Sequence, residues 1–141
     1  EFDGDILCNG IRRVQDKRME LNNNFLSRKP NEKALFYLCE LVEEMYLRGI
    51  TFAPYSITES DAYRFKKIAK GVILPPLNAI PSISKAMAES IVKARKDGPF
   101  QTREDLARRS LIGPSAMKKL VESKVLDDLP ESNQIDLFSL M

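Results

Sequence analysis

The spacing of apolar positions divides the chain into a helical front, a short strand-like middle and a helical back. Between Asp3 and Leu21, the residues Ile6, Leu7, Ile11, Val14 and Met19 recur with a period close to that of a helix, weakened at Gly10. Asn22-Asn23-Asn24 and Ser27-Arg28-Lys29-Pro30 read as a loop. The clearest helical pattern follows. Ala34, Leu35, Leu38, Leu41, Val42 and Met45 form one stripe, with Asn31 placed to cap its start and Glu32 near the positive end of its dipole. Arg48 and Gly49 mark its end. The stripe is that of a core-packing helix, and no cofactor pattern lies on it. From Ile50 to Leu74 the period changes: Ile50-Thr51-Phe52 and Tyr63 to Ile73, broken by Lys70-Gly71, predict small strands and a turn. Pro75-Pro76 removes two backbone donors and cannot lie inside a helix, so a domain boundary is placed there.

The back half repeats itself. Ile80-Pro81-Ser82-Ile83-Ser84 precedes a helix expected from about Lys85 to Arg95, with Ala88, Ile91 and Val92 inward and Asp97-Gly98-Pro99-Phe100 ending it. Thr102-Arg103-Glu104-Asp105 has the form of a capping box, with Leu106 facing inward. Leu111-Ile112-Gly113-Pro114 then leads into a helix carrying Met117, Leu120 and Val121. At an offset of 29 residues, Leu77 matches Leu106, Ile83 matches Ile112, Ala88 matches Met117, Ile91 matches Leu120 and Val92 matches Val121. Each half is therefore expected to be a helix, a tight hairpin and a second helix. Free N–H groups and the positive dipole end at the start of each second helix make an anion site. The fold class is mainly α with a small β portion.

Composition narrows the chemistry. The 141 residues suit one domain of average size or two small ones sharing a core. No apolar run approaches membrane-spanning length, and Glu1-Phe2-Asp3 does not open a signal peptide. The missing initiator Met points to a piece of a longer polypeptide. With no His, and with Cys8 and Cys39 far apart, a zinc site or a His-activated nucleophile is nearly excluded, and the cysteines read as reduced thiols with at least one in a core. Glu40, Glu43 and Glu44 follow helix-surface spacing and read as solvated. The net charge of +2 hides an asymmetry. Residues 81–124 hold ten basic and five acidic side chains, whereas residues 125–141 hold four acidic ones and no basic ones. A basic module followed by an acidic tail implies a polyanion partner for the module.

The paired hairpins resemble the helix–hairpin–helix family, whose hairpin usually reads Pro-Gly-apolar-Gly ahead of a helix with inward Ala and Ile. Ser82 and Ser84 stand where that family has glycines; their hydroxyls can donate to a phosphate or cap the helix. Gly113 is kept between Leu111 and Pro114, so the second hairpin is the candidate packing half, and residue 113 is expected to need a glycine-like backbone. The resemblance implies contacts to phosphates that fix position and read no bases. The candidate DNA-binding residues are Ser82, Ile83, Ser84, Lys85, Lys93, Arg95 and Lys96 at the first hairpin, and Gly113, Ser115, Lys118 and Lys119 at the second. Gln134-Ile135-Asp136-Leu137-Phe138 resembles the pentapeptide that docks in the bacterial sliding clamp, and the alternative for it is a last segment folding back on the core.

Together with Phe2-Asp3, Cys8-Asn9-Gly10, Glu44-Met45-Tyr46-Leu47-Arg48-Gly49, Ser60-Asp61-Ala62 and the run Ile73-Leu74-Pro75-Pro76-Leu77-Asn78-Ala79-Ile80-Pro81, these motifs resemble the C-terminal end of PolC-type DNA polymerase III alpha subunits. That resemblance implies the end of a helical fingers region over 1–72, a tandem helix–hairpin–helix duplex-binding domain over 73–129 and a clamp-binding tail over 130–141. It implies as partners primer–template duplex DNA, the sliding clamp and the rest of a polymerase chain, with no membrane, in the bacterial cytoplasm at the nucleoid. No catalytic residue, metal or cofactor is expected in this chain; the divalent metal (Mg) implied for a parent nucleotidyltransferase belongs with carboxylates upstream. Two other readings are a free-standing helix–hairpin–helix protein of competence or repair type, and a protein-interaction module.

Overall fold

A computed structural model describes residues 2–132, so the pentapeptide 134–138 lies outside the described residues. Where one weakened helix was expected from Asp3 to Leu21, there are two, α1 (Gly4–Leu7) and α2 (Ile11–Asn23). The physical reason is Gly10, whose φ of +102° lies in the region that glycine alone enters freely. Tyr46 fastens this break: its hydroxyl accepts from the Gly10 N–H at 3.1 Å and donates to the Leu7 carbonyl at 2.9 Å. Asp3 caps α1 by accepting from the N–H groups of Asp5 and Ile6. Helix α2 runs into the asparagines expected to form a loop, and a 3₁₀ turn (Phe25–Ser27) follows.

Helix α3 (Pro30–Leu47) starts two residues earlier than the Asn31 cap would allow. Pro30 takes the first helical position, where its missing N–H costs nothing, and the Glu32 carboxylate accepts from the Lys29 N–H at 3.2 Å. Leu7, Val14, Cys39 and Val42 form the buried centre between the front helices, flanked by Leu35, Leu38, Met45 and Phe52. Only part of the predicted stripe packs there. Leu41, about 100° round the helix from Val42, remains 54% exposed. Glu43 is also not the solvated acid its spacing suggested: it accepts from Arg18 Nε at 2.6 Å and from Gln15 at 3.3 Å.

Three short strands follow as expected. β3 (Val72–Leu74) lies in the middle, parallel to β1 (Thr51–Phe52) and antiparallel to β2 (Lys66–Ala69), with Gly71 at φ +70° in the turn. The back half comprises α4 (Lys85–Arg95), α5 (Arg103–Arg109) and α6 (Pro114–Glu122). Their common core contains Leu77, Ile80, Ile83, Ala88, Ile91, Leu106, Ile112 and Leu120, along with Ile57 and Ala62 from ahead of Pro75-Pro76. Both prolines are fully buried. The hairpin core therefore draws on residues from both sides of them.

Candidate nucleic-acid interface

The first hairpin departs from the expected helix–hairpin–helix unit at its start. A 3₁₀ turn (Leu77–Ala79) replaces the leading helix, because Ile80, directly before Pro81, is held extended with ψ 122° and stops the helix after one turn. The hairpin closes with the Ile83 N–H donating to the Ile80 carbonyl at 3.1 Å, and both side chains are buried. Ser82 sits at the tip of this turn, exposed, with φ +72°. This is the left-handed backbone for which the family's glycine is suited, and here a serine adopts it.

Ser84 takes the capping role of the two open to it. Its hydroxyl oxygen accepts from the Met87 N–H at 3.1 Å, and the hydroxyl proton remains to be donated outward. The N–H groups of Lys85 and Ala86, in the first turn of α4, have no carbonyl within the helix to pair with. Lys85 and Ala86 are exposed at this end, Lys93 is exposed further along α4, and Lys96 just past its end. A helix start with free donors, a hydroxyl and a lysine can receive a phosphate oxygen.

Two of the predicted basic residues have internal duties. Arg95 donates to the Ser60 carbonyl at 2.6 Å and to the Ile57 carbonyl at 3.3 Å, joining α4 to the loop before β2; burial lowers its pKa. Lys119 pairs with Asp5 at 2.7 Å and ties α6 to α1, and that partner raises its pKa. Ile83 contributes a buried side chain, and its N–H is already used.

The second hairpin is built by side chains. Ser110 donates to the Leu106 carbonyl at 2.6 Å, and the Leu111 N–H donates to Ser90 of α4 at 3.0 Å. Gly113 has φ −88° and ψ −179°, and a Cβ added there meets nothing within 4 Å. The expectation that residue 113 needs a glycine is thus corrected: its backbone is extended, which any residue adopts. It precedes Pro114 at the start of α6, leaving Ser115 and Lys118 exposed.

The sequence reading missed the joint between the repeats. Thr102 caps α5 through the Asp105 N–H at 2.9 Å. Asp105 accepts from the Gln101 N–H at 3.1 Å, from Arg108 at 2.7 Å and from Arg109 at 3.0 Å. The Gln101 N–H first, then the two guanidinium groups, hold its carboxyl below the usual range. Arg109 reaches on to the Ala94 carbonyl at 2.7 Å and the Gly98 carbonyl at 2.8 Å, with its guanidinium over the Phe100 ring. It thereby satisfies carbonyls at the end of α4 from the end of α5. The sequence signals were the capping pattern from Thr102 to Asp105 and the spacing of Asp105 and Arg109 four residues apart. Among the described residues no three His, Cys, Asp or Glu side chains converge to hold a metal ion. No helix among them is long and apolar enough to cross a membrane.

A family model described as "Helix-hairpin-helix motif" matches residues 49–135. The chain is similar to proteins named DNA polymerase III PolC-type. It is 36% identical over 138 residues to that of Clostridium perfringens, covering 98% of this chain. It is 33% identical over 141 residues to that of Latilactobacillus sakei, covering 100%, and 33% identical over 138 residues to that of Bacillus subtilis, covering 98%. In each case the match spans 10% of the longer protein.

Proposed function

Because this chain belongs to the helix–hairpin–helix family and is related along its length to a region of PolC-type DNA polymerase III, we propose that it is a non-catalytic part of a replicative polymerase that grips duplex DNA. The observation that carries this reading is the pair of helix starts, at α4 and α6, set 29 residues apart in one core, the first preceded by a tight turn and the second by a bend held by the Ser110 side chain. Backbone N–H groups at those starts bind phosphate oxygens, with Ser82, Ser84 and Lys85 at the first and Ser115 and Lys118 at the second. Lys93 and Lys96 add positive charge. Contacts of this kind track the backbone and carry no sequence information.

The test compares two charge reversals in the full chain. Lys85→Glu is expected to weaken duplex binding several-fold. Lys17→Glu, at an exposed pair with Glu20 on α2, is expected to leave it nearly unchanged. Equal losses would mean that bulk charge, not the hairpin, binds DNA.

The same reading assigns the tail a tethering role. Leu137 and Phe138 are the proposed anchors in an apolar pocket of a sliding clamp, with Gln134 at its rim, Ile135 contributing less and Asp136 facing solvent. Buried aliphatic and aromatic anchors dominate small interfaces, and a second linked contact raises effective concentration on the same DNA. Leu137→Ala/Phe138→Ala should abolish capture by a bacterial sliding clamp while duplex binding persists; an unfolded variant would instead place both residues in the core. The parent's metal-dependent nucleotidyl transfer, with a bound divalent ion, is assigned to carboxylates outside this chain.

A further inference from the structure

The segment leading into β2 carries more cationic and aromatic surface than a three-stranded sheet requires. Tyr63 and Phe65 are 43% and 44% exposed, and Arg64, Lys67 and Lys70 are exposed as well. Two residues of the segment are accounted for. Lys66 pairs with Asp61 at 3.3 Å and donates to the Glu59 carbonyl at 2.8 Å. Phe65 meets Phe2 edge-on at 4.9 Å, as part of an aromatic group with Phe52. Over the ring of Tyr63 lie two cations, the Lys85 ammonium at 4.4 Å and the Arg64 guanidinium at 5.6 Å.

Between this segment and α4 runs an open cleft of about 690 Å³, lined by Tyr63, Arg64, Glu89, Val92, Lys93 and Lys96 among others. Three of these side chains are positive. Of the two carboxylates in the lining, Asp61 is neutralised by Lys66, which leaves Glu89. Lys85 touches Tyr63 and also stands at the start of α4, so the cleft continues directly from the phosphate site of the first hairpin.

We propose that this cleft is a second nucleic-acid contact, which takes single-stranded DNA where it leaves the duplex held by the hairpins. The inference rests on the duplex-gripping reading above. Lysines and N–H groups suffice for a duplex, whose base faces are hidden in its own stack. An exposed ring in a basic cleft offers its face only to an unstacked base. Cation–π contacts at an exposed ring are weak, so the ammonium and guanidinium shift onto strand phosphates while a base covers Tyr63.

The experiment uses the full chain and three probes of equal duplex length: blunt, with a short single-stranded extension, and with an abasic extension of equal charge. The base-bearing extension is expected to raise affinity about tenfold over the abasic one, the scale of one stacked base. Tyr63→Ala should remove that increment and leave blunt-duplex binding unchanged, whereas Tyr63→Phe should retain it. Lys93→Gln/Lys96→Gln should reduce the gain from either extension. Equal affinity for the two extended probes, or an increment that survives Tyr63→Ala, overturns the inference while blunt binding leaves the duplex reading standing. A Tyr63→Ala loss shared equally by all probes also overturns it, since the ring then only supports Lys85. Failure of the unaltered chain to bind any probe overturns both.

Discussion

Replacing Ser82 with glycine should stabilise this protein, although glycine substitutions usually weaken folds. Ser82 is exposed and holds φ +72°, so the change opens no cavity and removes a Cβ from left-handed backbone. That conformation costs an L-residue about 1–2 kcal/mol. Glycine avoids the cost but loses roughly 0.5–1 kcal/mol more backbone entropy on folding. The balance is a gain of about 0.5–1 kcal/mol, which in a chain of this length raises Tm by about 2–3 °C. Ser82→Val should lower stability, because β-branching is worst where φ is positive. Gly113→Ser supplies the matched control. Its backbone is extended, its Cβ direction is open, and a serine there would cap α6 as Ser84 caps α4. It should therefore be neutral or stabilising by a few tenths of a kcal/mol. Thermal unfolding followed by circular dichroism reads all three. A fall in Tm for Ser82→Gly, or a large loss for Gly113→Ser, would refute the assignment of strain to the first hairpin.

Gly4 is buried where α1 meets Tyr55 and the Ala79 carbonyl; an added Cβ would overlap the Tyr55 hydroxyl and lie 2.9 Å from that carbonyl oxygen. Gly4→Ala should cost about 1–3 kcal/mol by overpacking, measurable as a lower urea midpoint, with part of the loss recovered in combination with Tyr55→Phe. Asp105 titrates below its ordinary value of 3.8 in the folded state, so its stabilisation is fully present above that value and is lost as pH falls through the lowered folded pKa. Asp105→Asn should therefore lower Tm at neutral pH, and the gap to the unaltered protein should narrow in strong acid. Burial first, and then Asp3 and Asp5, push the Cys8 thiol up to about 12, and burial also raises that of Cys39. A colourimetric thiol reagent at pH 8 should label neither rapidly until denaturant is added.

The repeat was legible because packing enforces it. Ile83 and Ile112, Leu77 and Leu106, and Ile91 and Leu120 are all buried at the positions their 29-residue offset predicted. Cap chemistry was equally readable at Ser84 and Thr102, because it depends on residues only three apart. What failed was information held by distant partners. The composition of the chain does not say which glycine bends it: Gly10 does and Gly113 does not, while Ser82 is held left-handed by burial of Ile80 and Ile83 on either side. Arg95 and Lys119 read as DNA-binding cations, and their internal acceptors, Ser60 and Asp5, lie too far off in sequence to be seen there. Pro75-Pro76 read as a break, and its rings are fully buried, which their lack of N–H groups alone did not show. The pentapeptide at 134–138 rests on motif resemblance, outside the described residues.

The central claim, a sequence-indifferent grip on the duplex backbone, is tested most directly by the salt dependence of binding to two unrelated duplexes of equal length. If about four phosphates are neutralised, log K should fall against log salt with a slope near −3.6. Both duplexes should give the same line, at micromolar or weaker affinity near physiological salt. Binding that ignores salt, or that strongly prefers one sequence, would contradict the account.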